Sequence, residues 1–292
     1  MTVFIRTLIS GLNLGSIYAL IALGYSMVYG IAKMLNFAHG DIIMVGAYAG
    51  IVAVLNIGLP PILAILFGVI ICSILGMVIE RLAYKPLRSA PSLSVLITAI
   101  GVSYLLQNLA LLIFGSEQKA YPSIGDIKGF TIAGVKVDGI TVITLAVTAI
   151  IMIGLTLFIN KTKIGKAMRA VSEDKGAAQL MGINTDKTIT ITFAIGSALA
   201  AIASAFYGFN YVYILPTTGS MPGIKAFTAA VLGGIGSIPG AMLGGIMLGI
   251  IEQFSKQYIS TIWSNAIVFG VLIIVLLVKP TGLLGKKVTE KV

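Results

Sequence analysis

Charged residues and cysteine are scarce in this chain, and both shortages exclude common classes of soluble protein. Only 10% of the 292 residues are charged, whereas soluble domains carry about 25% charged residues. The single cysteine, Cys72, stands in the apolar stretch ICSIL. A disulfide framework and a cysteine metal site are therefore excluded, and a buried structural thiol is expected. The sequence contains neither a GxxxxGKS/T phosphate loop nor a GxSxG motif, so it indicates neither a nucleotide hydrolase nor a serine hydrolase.

Ionisable side chains within the apolar stretches are also few. The only histidine, His39, lies with Asn36 and Asp41 in NFAHGD, and these groups are too few for a metal site, which typically takes three or four ligands. Two interpretations stay open. Either the three residues cap and fix the start of a helix near a membrane interface, or they line a substrate path, because an ionisable residue at membrane depth indicates function.

Long apolar stretches make up most of the chain. The chain is 58% hydrophobic with a mean hydropathy of +1.03, and a helix that crosses a bilayer needs about 20 apolar residues. The uncharged runs are 7–32, 42–79, 89–116, 139–160, 188–224, 226–251 and 257–278. Pro60 and Pro61 divide the second run, because proline breaks a helix. The sequence therefore predicts an all-α polytopic membrane protein with about eight hydrophobic segments, forming one transmembrane domain over residues 1–292.

The basic residues between these segments predict the orientation. Lys and Arg are in excess in loops 80–92 and 160–187 and in the tail, which holds Lys286, Lys287 and Lys291. Such loops lie in the cytoplasm, so we expect a multi-pass membrane protein with a cytoplasmic C-terminus. Loop 115–139 carries balanced charge and is expected outside. Lys33, Lys225 and Glu252 fall at segment ends, where long charged side chains are expected to snorkel to the interface.

One apolar run does not fit a simple crossing. Between Lys187 and the tail the chain must cross an even number of times, yet three segments are present. The run 226–251 contains GGIGSIPG, which is poor helix material. We predict a half-helix over Ala226–Leu232, a turn, and a second helix from Ala241, with a kinked continuous helix as the alternative. The first half has a similar order of small-residue helix, irregular stretch and helix, which indicates an internal repeat.

The stretch GKAMRAVSEDKGAAQLMGIN, residues 165–184, has the composition of a soluble protein. Ile164, Ala167, Met168 and Val171 form one apolar stripe of a helix. A second short helix is predicted over Lys175–Met181, ended by Gly182. The pattern fits either an amphipathic loop on the membrane surface or an element that docks on a cytoplasmic ATPase.

This stretch resembles the coupling segment of LivH-type permease subunits of bacterial branched-chain amino-acid ABC importers. NFAHGDIIMVGAY, AFTAAVLGGIGSIPGAMLGG and KPTGLLG resemble the same family in the same order. The resemblance implies transport of leucine, isoleucine and valine, with two ATP-binding subunits, a second and usually different permease subunit, and an extracytoplasmic binding protein as partners. It implies a transport subunit that is not itself an enzyme, with no cofactor and no metal.

The resemblance also assigns roles to residues. The ATPase-coupling positions that it implies are Gly165, Arg169, Ala170, Glu173, Asp174, Ala177 and Gly182. The polar residues Asn36, His39 and Asp41 are candidates for the translocation path. The alternatives are an ion-coupled secondary transporter, which would need more intramembrane carboxylates, and an intramembrane enzyme built on His39 and Asp41, which would need more catalytic groups.

Overall fold

The computed structural model describes residues 2–125, 127–132 and 134–285, and the tail lysines Lys286, Lys287 and Lys291 lie outside the described residues. The helices are α1 (Thr2–Ala32), α2 (His39–Leu55), α3 (Pro61–Ile79), α4 (Ser92–Phe114), α5 (Gly139–Lys161), α6 (Lys163–Glu173), α7 (Lys175–Leu180), α8 (Thr185–Tyr211), α9 (Ser220–Gly233), α10 (Ile238–Tyr258) and α11 (Ser264–Val278). A π-helical turn (Glu80–Tyr84) and a 3₁₀ turn (Lys85–Leu87) continue α3.

The predicted all-α membrane architecture is confirmed. Within the described residues, six helices are long and apolar enough to span a membrane, and two shorter apolar helices, α2 and α11, accompany them. The strands are short: β1 (Lys119–Ala120) pairs with β4 (Tyr213–Ile214), and β2 (Phe130–Ile132) pairs with β3 (Val135–Val137). Cys72 is a free, fully buried thiol, as expected.

Helix α1 runs through the centre of the bundle and packs antiparallel against α10. The two backbones approach closely because glycines alternate across the contact: a Cβ atom on Gly249 would lie 2.2 Å from the backbone nitrogen of Gly15. A Cβ atom on Gly245 would lie 2.4 Å from the Cα of Ala19. Small residues that admit such contacts are a common means of joining helices in a membrane.

The predicted break in the run 226–251 is present, and the alternative of a kinked continuous helix is wrong. Helix α9 ends at Gly233 and α10 starts at Ile238. Gly234 and Gly236 take φ values of +108° and +90°, a region that residues with a side chain rarely adopt. The half-helix starts at Ser220 rather than Ala226. The second helix starts at Ile238 rather than Ala241, because proline is well tolerated in a first helical turn.

Both halves of the chain contain a long helix, an irregular linker and a shorter helix. Linker 33–38 follows α1 and leads into α2, and the stretch 212–219 follows α8 and leads into α9. The first turns of α2 and α9 meet: a Cβ atom on Gly219 would lie 2.1 Å from the carbonyl oxygen of Gly40. Two helix N-termini therefore lie together inside the bundle.

The bundle has two distinct ends. At the strand end lie all four strands, with Thr2 beside Gly134. At the α6–α7 end, Gly30, Met168 and Gly236 line one small cavity, and the N–H groups of Leu283 and Leu284 donate to the carbonyls of Leu232 and Gly233. Loops 115–139 and 160–187 are therefore at opposite ends, in agreement with the charge pattern.

Candidate coupling segment and buried polar clusters

Helices α6 and α7 form a compact unit outside the apolar bundle. Thr162 caps α6 by accepting a hydrogen bond from the N–H of Gly165 at 3.0 Å, and Asp174 caps α7 by accepting from Ala177 at 2.9 Å. Met168 and Val171 are buried against the bundle. Gly182 takes a φ of +81° and follows the end of α7. The two predicted helices are present. Of the predicted apolar stripe, Met168 and Val171 are used for intrachain packing, Ala167 is half-buried and Ile164 is exposed.

The predicted coupling residues divide into an exposed set and a packed set. Five of them are exposed and one, Ala170, is half-buried; the exposed ones are Arg169, Glu173, Asp174, Ala177 and Gly182. Gly165 is buried, and a Cβ atom there would lie 2.4 Å from the Cα of Ile159. Gly165 therefore lets α6 pack on α5 and contributes nothing to the outer surface.

Sequence reasoning missed the two most exposed apolar side chains of this unit. Leu180 is 91% exposed and Met181 is 82% exposed. Leu180 is the last residue of α7 and Met181 follows it, shortly before α8 begins at Thr185. The sequence could have indicated this exposure. Both large apolar residues directly precede Gly182, which ends the helix, and at that position the helix has no buried face that could cover them. Such exposed apolar residues, rimmed by polar ones, are typical of interaction sites.

The α6–α7 unit is also attached to the end of α1. The Nζ atom of Lys175 donates to the carbonyl oxygen of Ala32 at 3.0 Å, one of the carbonyls left without a partner at the helix C-terminus. Burial lowers the pKa of Lys175 below its usual value, and the nearby positive charges of Arg88 and Lys33 lower it further. A displacement of α7 would therefore be transmitted to the C-terminus of α1.

An ion-pair network joins the linker after α3 to the start of α8. Arg88 contacts both Glu80 and Asp186, and Lys85 contacts Asp186 at 2.7 Å. The hydroxyl of Thr190 donates to Glu80 at 2.7 Å. Glu80 is fully buried and is held by both a cation and a hydroxyl, as buried charges require.

The three polar residues at the start of α2 are all buried, and none of them caps the helix. Ala38 precedes α2, and no side-chain cap is made there. Asn36 accepts a hydrogen bond from the Tyr84 hydroxyl at 2.8 Å. His39 packs edge-on against Tyr25 with ring centroids 4.6 Å apart, and its Nε2 atom has no partner in the described part of the chain. The capping part of that interpretation is therefore wrong, whereas the hydrogen bonds of Asn36 and Asp41 to neighbouring elements do hold the start of α2.

Asp41 lies in the first turn of α2 and joins it to α4. Ser103 of α4 donates to its Oδ2 atom, and Gln107 of α4 donates to its Oδ1 atom at 2.9 Å. The amide of Gln107 also lies 3.2 Å from the hydroxyl of Ser220, the first residue of α9. The converging N-termini of α2 and α9 are thus linked to α4 by a polar cluster that is set among apolar spans.

The snorkelling interpretation of Lys225 and Glu252 is wrong. Their side chains are 8% and 1% exposed, and they form an ion pair of 2.7 Å between α9 and α10. Lys256 contacts the same carboxylate at 2.6 Å, and the hydroxyl of Tyr18 donates to it at 2.8 Å. Burial is possible because each charge has an opposite partner. In the described residues, no group of His, Cys, Asp and Glu side chains could hold a metal ion.

Comparison with known proteins identifies the family. Residues 7–277 match the family model described as the branched-chain amino acid transport system / permease component. The chain belongs to this family. It is 44% identical to the high-affinity branched-chain amino acid transport system permease protein BraD of Pseudomonas aeruginosa, over 99% of this chain and 98% of that protein. It is 46% identical to LivH of Escherichia coli K12, with the same coverage of both chains.

The fold also resembles a solved structure. The chain superposes on PsaBC from Streptococcus pneumoniae in complex with Fab, with a TM-score of 0.50 and 15% identity over 95% of this chain and 92% of that one. At this identity the likeness concerns the fold alone. The family match and the apolar spans together show that the chain is a multi-pass membrane protein, and that it is a transport subunit rather than an enzyme.

Proposed function

We propose that this chain is the membrane permease subunit of an ATP-driven importer for leucine, isoleucine and valine in a bacterial cytoplasmic membrane. The observation that carries the proposal is the full-length similarity to permeases whose names state that substrate class. An ion-coupled secondary transporter is the weaker candidate, because those relatives are named as permease proteins of transport systems and because two of the buried carboxylates, Glu80 and Glu252, are neutralised within the chain.

The energy comes from two separate ATP-binding subunits that dock on the α6–α7 unit. Arg169, Glu173 and Asp174 are exposed charged residues of the same unit that carries the exposed apolar residues Leu180 and Met181. An apolar anchor within a polar rim is the usual anatomy of a protein interface. Because Met168 and Val171 are buried in the bundle, the unit moves as one body with the spans and acts as a lever.

The assembly is completed by a second permease subunit, expected to be a different chain, and by an extracytoplasmic binding protein that delivers the amino acid. The α6–α7 end faces the cytoplasm in this arrangement, and the C-terminus lies on the same side. The position of Leu283 and Leu284 at the α6–α7 end supports this placement of the tail. Asn36, His39 and Asp41, at the start of α2, are the proposed path residues.

Reconstitution tests the proposal. Proteoliposomes that contain the chain, its ATP-binding partners, the second permease and the binding protein should take up labelled leucine with ATP and not with a non-hydrolysable analogue. The chain alone should hydrolyse no ATP. Uptake of leucine by the chain alone, driven by a proton or sodium gradient, would show that it is a secondary transporter.

A further inference from the structure

Among the buried carboxylates of the described residues, Asp41 differs from the others because no cationic side chain contacts it. The described part of the chain has three fully buried carboxylates, at Asp41, Glu80 and Glu252. Glu80 is paired with Arg88, and Glu252 is paired with two lysines. Asp41 has only the neutral donors Ser103 and Gln107 within hydrogen-bond reach. A carboxylate among apolar spans is costly unless it is neutralised, so this site lacks the compensating charge that the other two have.

Asp41 itself is 1% exposed, but the polar side chains of its cluster reach the outer surface of the bundle. Ser103, Gln107 and Ser220 are all partly exposed, and they cover Asp41 on that side. The neighbouring α9 surface carries Met221 and Ile224, which are 43% and 44% exposed. A ligand that entered between α4 and the start of α9 would thus meet an apolar surface beside a buried negative charge.

We propose that Asp41 receives the α-ammonium group of the amino acid during its passage, and this inference rests on the proposed function. The ammonium supplies the missing positive charge and three donors, which fit the free acceptor capacity of the carboxylate and of the Ser103 and Ser220 hydroxyls. Met221 and Ile224 offer an apolar surface to the branched side chain. The hydroxyl and amide donors hold the carboxylate in place while the site is empty.

A purely structural role for Asp41 makes a different prediction. The carboxylate lies in the first turn of α2, where the helix dipole favours a negative charge, and it links α2 to α4. If that were its whole role, its loss would weaken the subunit without regard to which ligand is bound. The test therefore compares two ligands that differ only in the ammonium group.

The experiment measures equilibrium binding of leucine and of 4-methylpentanoate, which has the same skeleton without the ammonium, to the assembled permease–ATPase complex in nanodiscs. The wild type should bind leucine more tightly by about 10-fold or more, as expected for a charge-assisted hydrogen bond. Asp41→Asn keeps the size and a hydrogen-bonding group, and should bring this ratio close to one. Asp41→Glu, which keeps the charge, should retain more of the ratio than Asp41→Asn.

Asn108→Ala is the matched control, because Asn108 is an exposed polar residue of α4 that bonds only to its own helix, at the carbonyl of Tyr104. It should leave the ratio unchanged. A wild type that binds the two ligands equally, or binds neither, would overturn the inference, and so would an Asp41→Asn complex with the wild-type ratio. Failure of the complete wild-type system to take up leucine would instead overturn the proposed function, and the inference with it.

Discussion

At the scale of single residues, glycine has two different uses in the α6–α7 unit. Gly165 is required by packing, because a Cβ atom would lie 2.4 Å from both the Cα and the carbonyl oxygen of Ile159. Gly176 is less crowded: a Cβ atom there would lie 3.3 Å from the Oδ1 atom of Asp174, which is the end of a side chain and not backbone. The sequence presents the two glycines alike, and only the tertiary contact separates them.

This difference gives a matched pair of variants. Gly165→Ala should destabilise the subunit by about 1–3 kcal/mol, the usual cost of overpacking, because the backbones of α5 and α6 must move apart. Gly176→Ala should be neutral or stabilise by up to about 1 kcal/mol, because alanine is the better helix former. Thermal unfolding of the detergent-solubilised chain measures both. Equal melting temperatures for Gly165→Ala and the wild type would contradict the packing argument.

At the scale of elements, the sequence predicted those features that depend on local chemistry. Residues 233–240 marked the break between α9 and α10, because four glycines and a proline disfavour a helix wherever they occur. Gly182 likewise marked the end of α7. The polar clusters were not predictable in this way. Lys225 and Glu252 meet only because α9 folds back on α10, and Gln107 reaches Asp41 only because α4 packs beside α2.

The α6–α7 unit as an element carries the prediction about coupling. Glu173→Lys reverses a charge on the exposed surface of the unit, and like charges that meet at an interface weaken binding by several kcal/mol. Ala177→Trp puts a bulky side chain on the exposed face of α7. Each variant should insert and fold normally, yet should lose most of its co-purifying ATP-binding subunits and its uptake of labelled leucine.

The control is Glu117→Lys, which makes the same charge reversal at an exposed position just after α4, near the strand end. It should leave co-purification of the ATP-binding subunits unchanged. If Glu173→Lys and Ala177→Trp both retain normal ATPase binding and uptake, residues 165–184 form a membrane-surface loop, and the proposed energy source loses its main structural support.

At the scale of the whole molecule, the two ends of the bundle determine the side on which α1 begins. Thr2 lies at the strand end, beside Gly134, and α1 runs from there to the α6–α7 end, where Ala32 meets Lys175. If the α6–α7 unit docks on cytoplasmic ATPases, the N-terminus must be extracytoplasmic.

Cysteine labelling in intact cells tests this topology. Val3→Cys and Lys128→Cys should react with a membrane-impermeant maleimide added outside, whereas Lys85→Cys and Lys166→Cys should react only after the membrane is permeabilised. All four positions are exposed in the subunit, and the native Cys72 is fully buried and supplies an internal control for background labelling. Labelling of Lys166→Cys from outside would reverse the orientation of the bundle. Labelling of Val3→Cys only after permeabilisation, with Lys128→Cys labelled from outside, would contradict the path of α1 through the bundle, because both positions lie at the strand end.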